Sequence, residues 1–325
     1  MPPIPRLGLG CANLGNLYRP MPDATAAEIV ETAFAHGYGY FDTAPHYGVG
    51  LSEERLGRAL AGRPRDSYTV STKVGRRLRP LDPGETEPAH DFVDTPARGR
   101  VWDLSRDGIR ATLESSLERL GLDRVEIAYL HDVEDHLPEV YETAFAALAE
   151  LKAEKVVGAI GFGMNFSDHL GRLVADLDVD VVLCAGRWTL LERSAYDDLL
   201  PVCARRGTSV VVGGVYNTGL LADPRPGARF HYGRAPAETV ARARGIAQVC
   251  GEFGVPLKAA ALRYPFAHPA VVSVVPGASR PGDVEENAEM FAYEIPDALW
   301  PALVELGLLD GDLPLPAAAT ASAGG

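Results

Sequence analysis

A closed (β/α)8 barrel (TIM-barrel type) is the fold this sequence predicts, and three observations carry the prediction. Eight strand-like stretches alternate with eight helix-like stretches without a break. The stretches VVLCA, VVVGG and VVSVV are continuous apolar runs, as expected of parallel strands covered on both faces. No shift of composition marks a domain boundary within the 325 residues. An open doubly wound sheet would instead show about six parallel strands and a glycine fingerprint.

In chain order, the first strand lies in RLGLGCA and precedes a helix over 25–36. YGYFDTA precedes a helix over 52–61, SYTVSTK one over 105–120, VEIAYLH one over 139–154, and VVGAIGFG one over 168–176. VDVVLCAG, TSVVVGG and AVVSVVPG precede helices over 193–206, 236–253 and 283–290. Three segments interrupt this rhythm. The Pro-, Gly- and acid-rich stretch 78–103 is too long for an ordinary βα loop. It is expected to lie over the mouth of the barrel as a substrate lid, with Trp102 as an aromatic wall. A second excursion, 217–234, follows the seventh strand, and the low-complexity stretch 313–325 is expected to be flexible and without chemistry. Residues 1–312 are then a single catalytic domain.

A parallel barrel keeps its chemistry where strands give way to loops at their C-terminal ends. Asp42, Tyr47, Lys73 and His131 all fall there, in YFDTAPHYGVG, YTVSTK and VEIAYLH. The combination suits hydride exchange between a carbonyl carbon and a nicotinamide, in which a proton moves on the oxygen as the hydride moves on the carbon. A free tyrosine titrates near ~10, so a phenol working at neutral pH needs an adjacent ammonium. Lys73 supplies it, Asp42 holds the lysine, and His131 donates a hydrogen bond to the substrate oxygen. No metal is required. Singly, each residue is as well explained as a loop cap, a packing tyrosine, a surface lysine or a satisfied histidine; their coincidence at successive strand ends favours chemistry. His46, beside Tyr47, is a secondary candidate for touching substrate.

Composition narrows the classes further. Hydrophobic residues make up 46% and charged residues 23%, ample for a sizeable core and unlike a disordered chain. The formal charge of −13 disfavours nucleic-acid and anionic-membrane partners, which call for basic patches. Cys11, Cys184, Cys203 and Cys250 are scattered without metal-binding spacing, so neither a disulfide framework nor a zinc site is expected. MPPIPRLGLG lacks the features of a signal peptide and no apolar run suits a membrane span, so a cytoplasmic location is expected. The sequence leaves the oligomeric state open.

Two motifs are set aside. GLGCANLG offers Gly8, Gly10 and Gly15, but a dinucleotide-binding loop needs its third glycine three residues after the second, and here the gap is five. Ser52, Glu53 and Glu54 are read as a helix N-cap with acids complementing the dipole rather than as catalytic carboxylates.

FDTAPHYGVGLSEERLG, STK and LH, in that order, resemble the signature segments of the aldo-keto reductase superfamily, and the resemblance spans about residues 5–308. It implies a (β/α)8 barrel binding NAD(P) without a Rossmann fold, with Asp42, Tyr47, Lys73 and His131 as a catalytic tetrad. AGRWTLLE, GGVYNTGLL and FAHPAVVSVVPGASRPGDVEEN further resemble the branch containing L-fucose dehydrogenase, D-threo-aldose 1-dehydrogenase and pyridoxal 4-dehydrogenase. Members of that branch oxidise cyclic hemiacetals to lactones. The branch implies oxidation of the anomeric carbon of an L-fucose, L-galactose or D-arabinose type aldose, with Tyr47 as the base. Pyridoxal oxidation, a general NADPH-dependent carbonyl reductase and a non-catalytic nucleotide-sensing subunit stand as alternatives.

The resemblance also suggests contacts. Asn165 keeps one carboxamide position, while Ala185 stands where many relatives have glutamine. The tyrosine that stacks on the nicotinamide aligns with Gly213, leaving Tyr216 or Trp188 for that role. Asn217, Gly219 and Leu220 are further cofactor candidates, and Arg187, Trp188, His46 and Trp102 are substrate candidates. Aligned on Glu286 and Asn287, the residues that grip a 2′-phosphate in NADP-preferring relatives fall on Gly277, Ala278 and Asp283. An aspartate there repels the phosphate and can accept from a free ribose hydroxyl, which favours NAD; Ser279 and Arg280 keep NADP open.

Overall fold

The computed structural model describes residues 2–87, 91–231 and 233–316. Its eight parallel strands are β1 (Leu9–Gly10), β2 (Tyr40–Asp42), β3 (Thr69–Val74), β4 (Val125–His131), β5 (Val157–Met164), β6 (Val181–Ala185), β7 (Ser209–Gly213) and β8 (Val271–Val275). They pair in that order, and bridges from Leu7 to Val274 and from Gly10 to Gly277 join β8 back to β1. A helix follows each strand: α1 (Asp23–Ala35), α2 (Leu51–Leu60), α3 (Arg106–Leu120), α4 (Phe145–Ala153), α5 (Ser167–Asp176), α6 (Leu200–Arg206), α7 (Ala237–Glu252) and α8 (Pro281–Ala292). The predicted (β/α)8 barrel is the fold observed.

Strand alternation sorts the core into two layers. Tyr40, Ile127, Tyr129, Ala159, Val181, Leu183, Val211 and Val275 fill the barrel interior. The opposite-facing Phe41, Val70, Ala128, Leu130, Val182 and Val210 join the larger core with the helices. Further helices, Leu257–Arg263 and Leu299–Glu305, were not anticipated from the sequence. The helix expected over 139–154 starts at Leu137 and passes through a wide π-type turn, Val140–Ala144, before α4.

The long loop after β3 contains strand pairing that the sequence did not predict. Arg76–Pro80 pairs antiparallel with Arg98–Trp102, so an arginine-rich hairpin stands at the mouth of the barrel. Leu313 and Leu315, at the start of the tail expected to be flexible, pack partly buried against the core; residues 317–325 of that tail lie outside the described residues.

The capping assignment for Ser52 is corrected. Helix α2 begins at Leu51 behind Gly50, whose φ of +94° suits a glycine, and Ser52 makes no cap bond. Its hydroxyl instead donates to the Cys11 carbonyl at 2.8 Å and meets Thr43 Oγ1 at 2.8 Å. Glu53 is buried, accepting from Thr72 Oγ1 at 2.6 Å and Arg119 Nε at 2.7 Å, and so ties α2 to β3 and α3. The glycine-rich N-terminal stretch also has a packing explanation. A Cβ on Gly15 would lie 2.5 Å from the Tyr47 carbonyl carbon, so Gly15 lets the Tyr47 loop cross against the turn after β1.

Candidate active site

Asp42, Lys73 and His131 occupy inward-facing positions at the C-terminal ends of β2, β3 and β4, two residues beyond the interior residues Tyr40, Ser71 and Tyr129. Period-two alternation therefore aims all three into the barrel mouth. Tyr47 reaches the same point from the β2–α2 loop. Lys73 is 1% exposed, and all three of its N–H donors are used: Nζ lies 2.8 Å from Asp42 Oδ2, 2.9 Å from the Thr43 carbonyl and 3.0 Å from Tyr47 Oη. Ser71 Oγ donates to the second Asp42 oxygen at 2.7 Å, and the Tyr40 hydroxyl lies 2.9 Å from Ser71 Oγ. A Cβ at Gly163 would sit 3.4 Å from Lys73 Cε, so the glycine on β5 leaves room for the lysine chain.

These groups open on a cavity of about 410 Å³ lined by Tyr47, Lys73, His131, His46, Asp132 and Phe92 among others, a size suited to a small molecule. The His131 ring stands edge-on to Tyr47, with centroids 5.9 Å apart. Burial first, then the charges of Lys73 and Arg76 and the nearby His46, push the His131 pKa well below its ordinary value, so the ring is a neutral donor–acceptor at neutral pH. Arg100 Nη1 lies 2.8 Å from His46 Nδ1, linking the hairpin to the cavity wall. Arg100 is itself paired with Glu87.

Burial also lowers the pKa of His231 and His268. The sign of the linkage follows. Below the unfolded value of about 6.5 the unfolded chain takes up protons that the native chain refuses, so stability falls as pH drops from there towards the native values. For one such histidine the limiting slope is about 1.4 kcal/mol per pH unit. Urea unfolding between pH 7 and pH 5.5 checks this. His131→Gln is expected to flatten the decline; an unchanged slope would rule out His131 as a contributor.

Several predicted contacts are repositioned. Trp188 is fully buried, donates its indole N–H to the Pro265 carbonyl at 2.8 Å, and packs between Tyr196 and Tyr264. It is a core residue and lines neither the tetrad's cavity nor the one beside it. Trp102 turns outward, under the Arg76 guanidinium and beside His136, and Phe92 provides the aromatic wall in its place. Tyr216 does not line the cavities described; its hydroxyl donates to Asn287 Oδ1 at 2.7 Å. Leu220 is buried in the core, so only its backbone is available there, whereas Gly219 is open.

A second cavity of about 240 Å³ shares Asn165 and Ala185 with the first and adds Gly186, Arg187, Gly214, Asn217 and His231. The Asn165 carbonyl accepts from Arg187 Nε, and the Asn217 amide is held by Thr189 and the Gly186 carbonyl. At the start of α8, both Asp283 oxygens are engaged: Oδ2 accepts from Ser279 N and Oγ at 2.9 Å each, and Oδ1 from Arg280 Nε at 2.7 Å. The free acceptor expected for a ribose hydroxyl is thus corrected to a carboxylate already occupied by Ser279 and Arg280. Gly277 bridges to β1, Ala278 is buried, and Glu286 pairs with Lys258 at 2.6 Å.

The sequence reading missed Asp132, Arg76, Arg100 and Phe92. The two arginines sit on the two strands of the hairpin, and nothing in RRLRP or RGRVW marks which of their arginines face the cavity.

The four cysteines are buried and free. Among the described residues no cluster of His, Cys, Asp and Glu could hold a metal, and no helix is long and apolar enough to cross a membrane.

Residues 6–307 match the family model described as aldo/keto reductase family. The chain is 46% identical over 312 residues to a D-threo-aldose 1-dehydrogenase from a Pseudomonas species, covering 94% of this chain and 95% of that protein. It is 35% identical to a pyridoxal 4-dehydrogenase from Microbacterium luteolum, with 94% and 95% covered, and 30% identical to an L-galactose dehydrogenase from Arabidopsis thaliana, with 87% and 83% covered. Among solved structures, the holo form of an aldo-keto reductase from Bacillus halodurans superposes with a TM-score of 0.71 at 26% identity, covering 90% of this chain and 88% of that one. A glycerol dehydrogenase from Gluconobacter oxydans, at 23% identity and a TM-score of 0.73 with 99% and 96% covered, shows the same fold. The closed barrel, the four side chains gathered at its mouth and a family match across nearly the whole chain have one reading: this protein is an oxidoreductase belonging to the aldo/keto reductase family.

Proposed function

We propose that this enzyme oxidises the anomeric carbon of an aldose to the lactone, with NAD⁺ as hydride acceptor. The observation that carries the reading is the hydrogen-bonded chain from Asp42 through Lys73 to Tyr47, opening on the cavity beside His131. Full-length similarity to the D-threo-aldose 1-dehydrogenase supports the substrate class. Tyr47 takes the proton of the anomeric hydroxyl, and the Lys73 ammonium favours the phenolate that does so. Asp42 keeps Lys73 in place. Neutral His131 donates to the reacting oxygen and orients it. When bound, a nicotinamide would supply the hydride-accepting chemistry. The second cavity, which shares Asn165 and Ala185 with the first, supports this reading, and Asn165, Gly186, Gly214 and Asn217 would hold the group there.

Preference for NAD⁺ follows from the occupied Asp283 carboxylate. The resemblance aligns it with a residue that grips the 2′-phosphate in NADP-preferring relatives, and here it binds the two donors, Ser279 and Arg280, that would otherwise be available to that phosphate. Asp283→Ala is expected to free them and shift the NADP⁺ to NAD⁺ ratio of kcat/KM upward by about tenfold. An unchanged ratio would remove Asp283 from cofactor selection.

Pyridoxal is the second reading, supported by the 35% identical relative. Absorbance assays of NAD⁺ and NADP⁺ reduction against L-fucose, L-galactose, D-arabinose, other aldoses and pyridoxal separate the two. Turnover of an aldose supports the proposal. Turnover of pyridoxal alone, or of small aldehydes with NADPH alone, overturns it.

A further inference from the structure

Asp132 is absent from the tetrad yet lines the same cavity, directly after His131. Its φ is +46°, a left-handed conformation that non-glycine residues rarely adopt. The backbone holds it there, because its N–H donates to the Gly163 carbonyl at 3.0 Å. Strain of this kind persists where surrounding structure enforces it, and it concentrates at functional sites. The side chain is also held: Arg76 Nη2 donates to Oδ2 at 3.1 Å, and the Arg76 guanidinium lies 4.7 Å from the centre of the Trp102 ring. Only one carboxylate oxygen is taken in this way. Oδ1 has no hydrogen-bond partner among the described residues, although the side chain is just 18% exposed.

A carboxylate oxygen with no protein donor, on a mostly buried side chain that lines the cavity, can accept a hydrogen bond from a ligand there. The Asp132 carboxylate stands beside the His131 ring, with Oδ2 3.5 Å from Nε2, so ring and carboxylate can meet oxygens on neighbouring carbons of one substrate. An oxygen resting against His131 therefore brings the adjacent hydroxyl to Asp132. We propose that Asp132 accepts a hydrogen bond from the substrate hydroxyl on the carbon next to the reacting one, making this site selective for 2-hydroxy substrates, with Arg76 as its positioning residue. A substrate lacking that hydroxyl leaves the carboxylate unpaired, the situation in which a polar site discriminates most strongly.

The inference rests on the aldose reading only in the choice of sugar, and two substrate pairs keep the two separable. D-Arabinose and 2-deoxy-D-ribose differ only in the C2 oxygen and are compared in the oxidising direction. Glyceraldehyde and 3-hydroxypropanal are compared in the reducing direction with NADH and NADPH. The native enzyme is expected to favour the 2-hydroxy member by about 100-fold in kcat/KM, and Asp132→Ala to bring that ratio near one by slowing the 2-hydroxy member alone. Arg76→Met is expected to raise KM for the 2-hydroxy member with little change for its partner. If Asp132→Ala does not fold, Asp132→Asn decides, with a ratio about tenfold below native expected. Discrimination in the aldehyde pair alongside inert sugars sinks the aldose reading and leaves Asp132 standing. Equal ratios in native and variant enzymes, or no reaction of either pair, overturn the inference.

Discussion

Tyr47→Phe is expected to lower kcat by about 10²- to 10⁴-fold, the span that a positioned acid–base group contributes, while cofactor binding is unchanged. The substitution removes one oxygen, which lies 3.0 Å from Lys73 Nζ, and leaves the ring and its edge-on contact with His131. Lys73 keeps its bonds to Asp42 and the Thr43 carbonyl, and its third donor faces the cavity. The fold is therefore expected to survive. Single-turnover kinetics and a cofactor fluorescence titration on the same preparation read the two effects separately. Turnover within tenfold of native would show that Tyr47 does not carry the proton.

The second large effect is on stability as well as rate. Lys73→Met leaves Asp42 as a buried carboxylate without its counter-charge, and breaking a buried pair from one side costs about 3–5 kcal/mol. Ser71 still satisfies the other Asp42 oxygen, so the loss falls on the charge rather than on every hydrogen bond. Adding Asp42→Asn to Lys73→Met removes the stranded charge. The double variant is expected to regain most of the stability and none of the turnover. That split distinguishes a pair retained for chemistry from one retained for folding. Urea unfolding of the native enzyme and the two variants checks it, and a double variant as unstable as the single one would count against stranded charge as the cause.

How much of this was legible beforehand depends on the range over which each feature is encoded. Three of the tetrad were found from strand ends alone, because a strand boundary is a local feature. Tyr47 was found beside them because it follows Asp42 by only five residues. Trp188 was misplaced for the opposite reason. An aromatic shortly after a strand end has two faces to choose from, and its burial is decided by Pro265, Tyr196 and Tyr264, the first of them 77 residues away. Asp283 was found as a residue, but its occupation by Ser279 and Arg280 needed the turn that starts α8.

The sequence by itself determined the barrel, its eight units and the place of Asp42, Lys73 and His131 at strand ends, since each follows from patterns over a few residues. Only the tertiary structure decided which loop side chains complete the cavity. Arg76 reaches Asp132 across 56 positions and Arg100 reaches His46 across 54, and the unusual backbone of Asp132 is held by a carbonyl on the next strand. Such pairings exist because closing the barrel brings distant segments to one mouth, and no local pattern records which of them will meet.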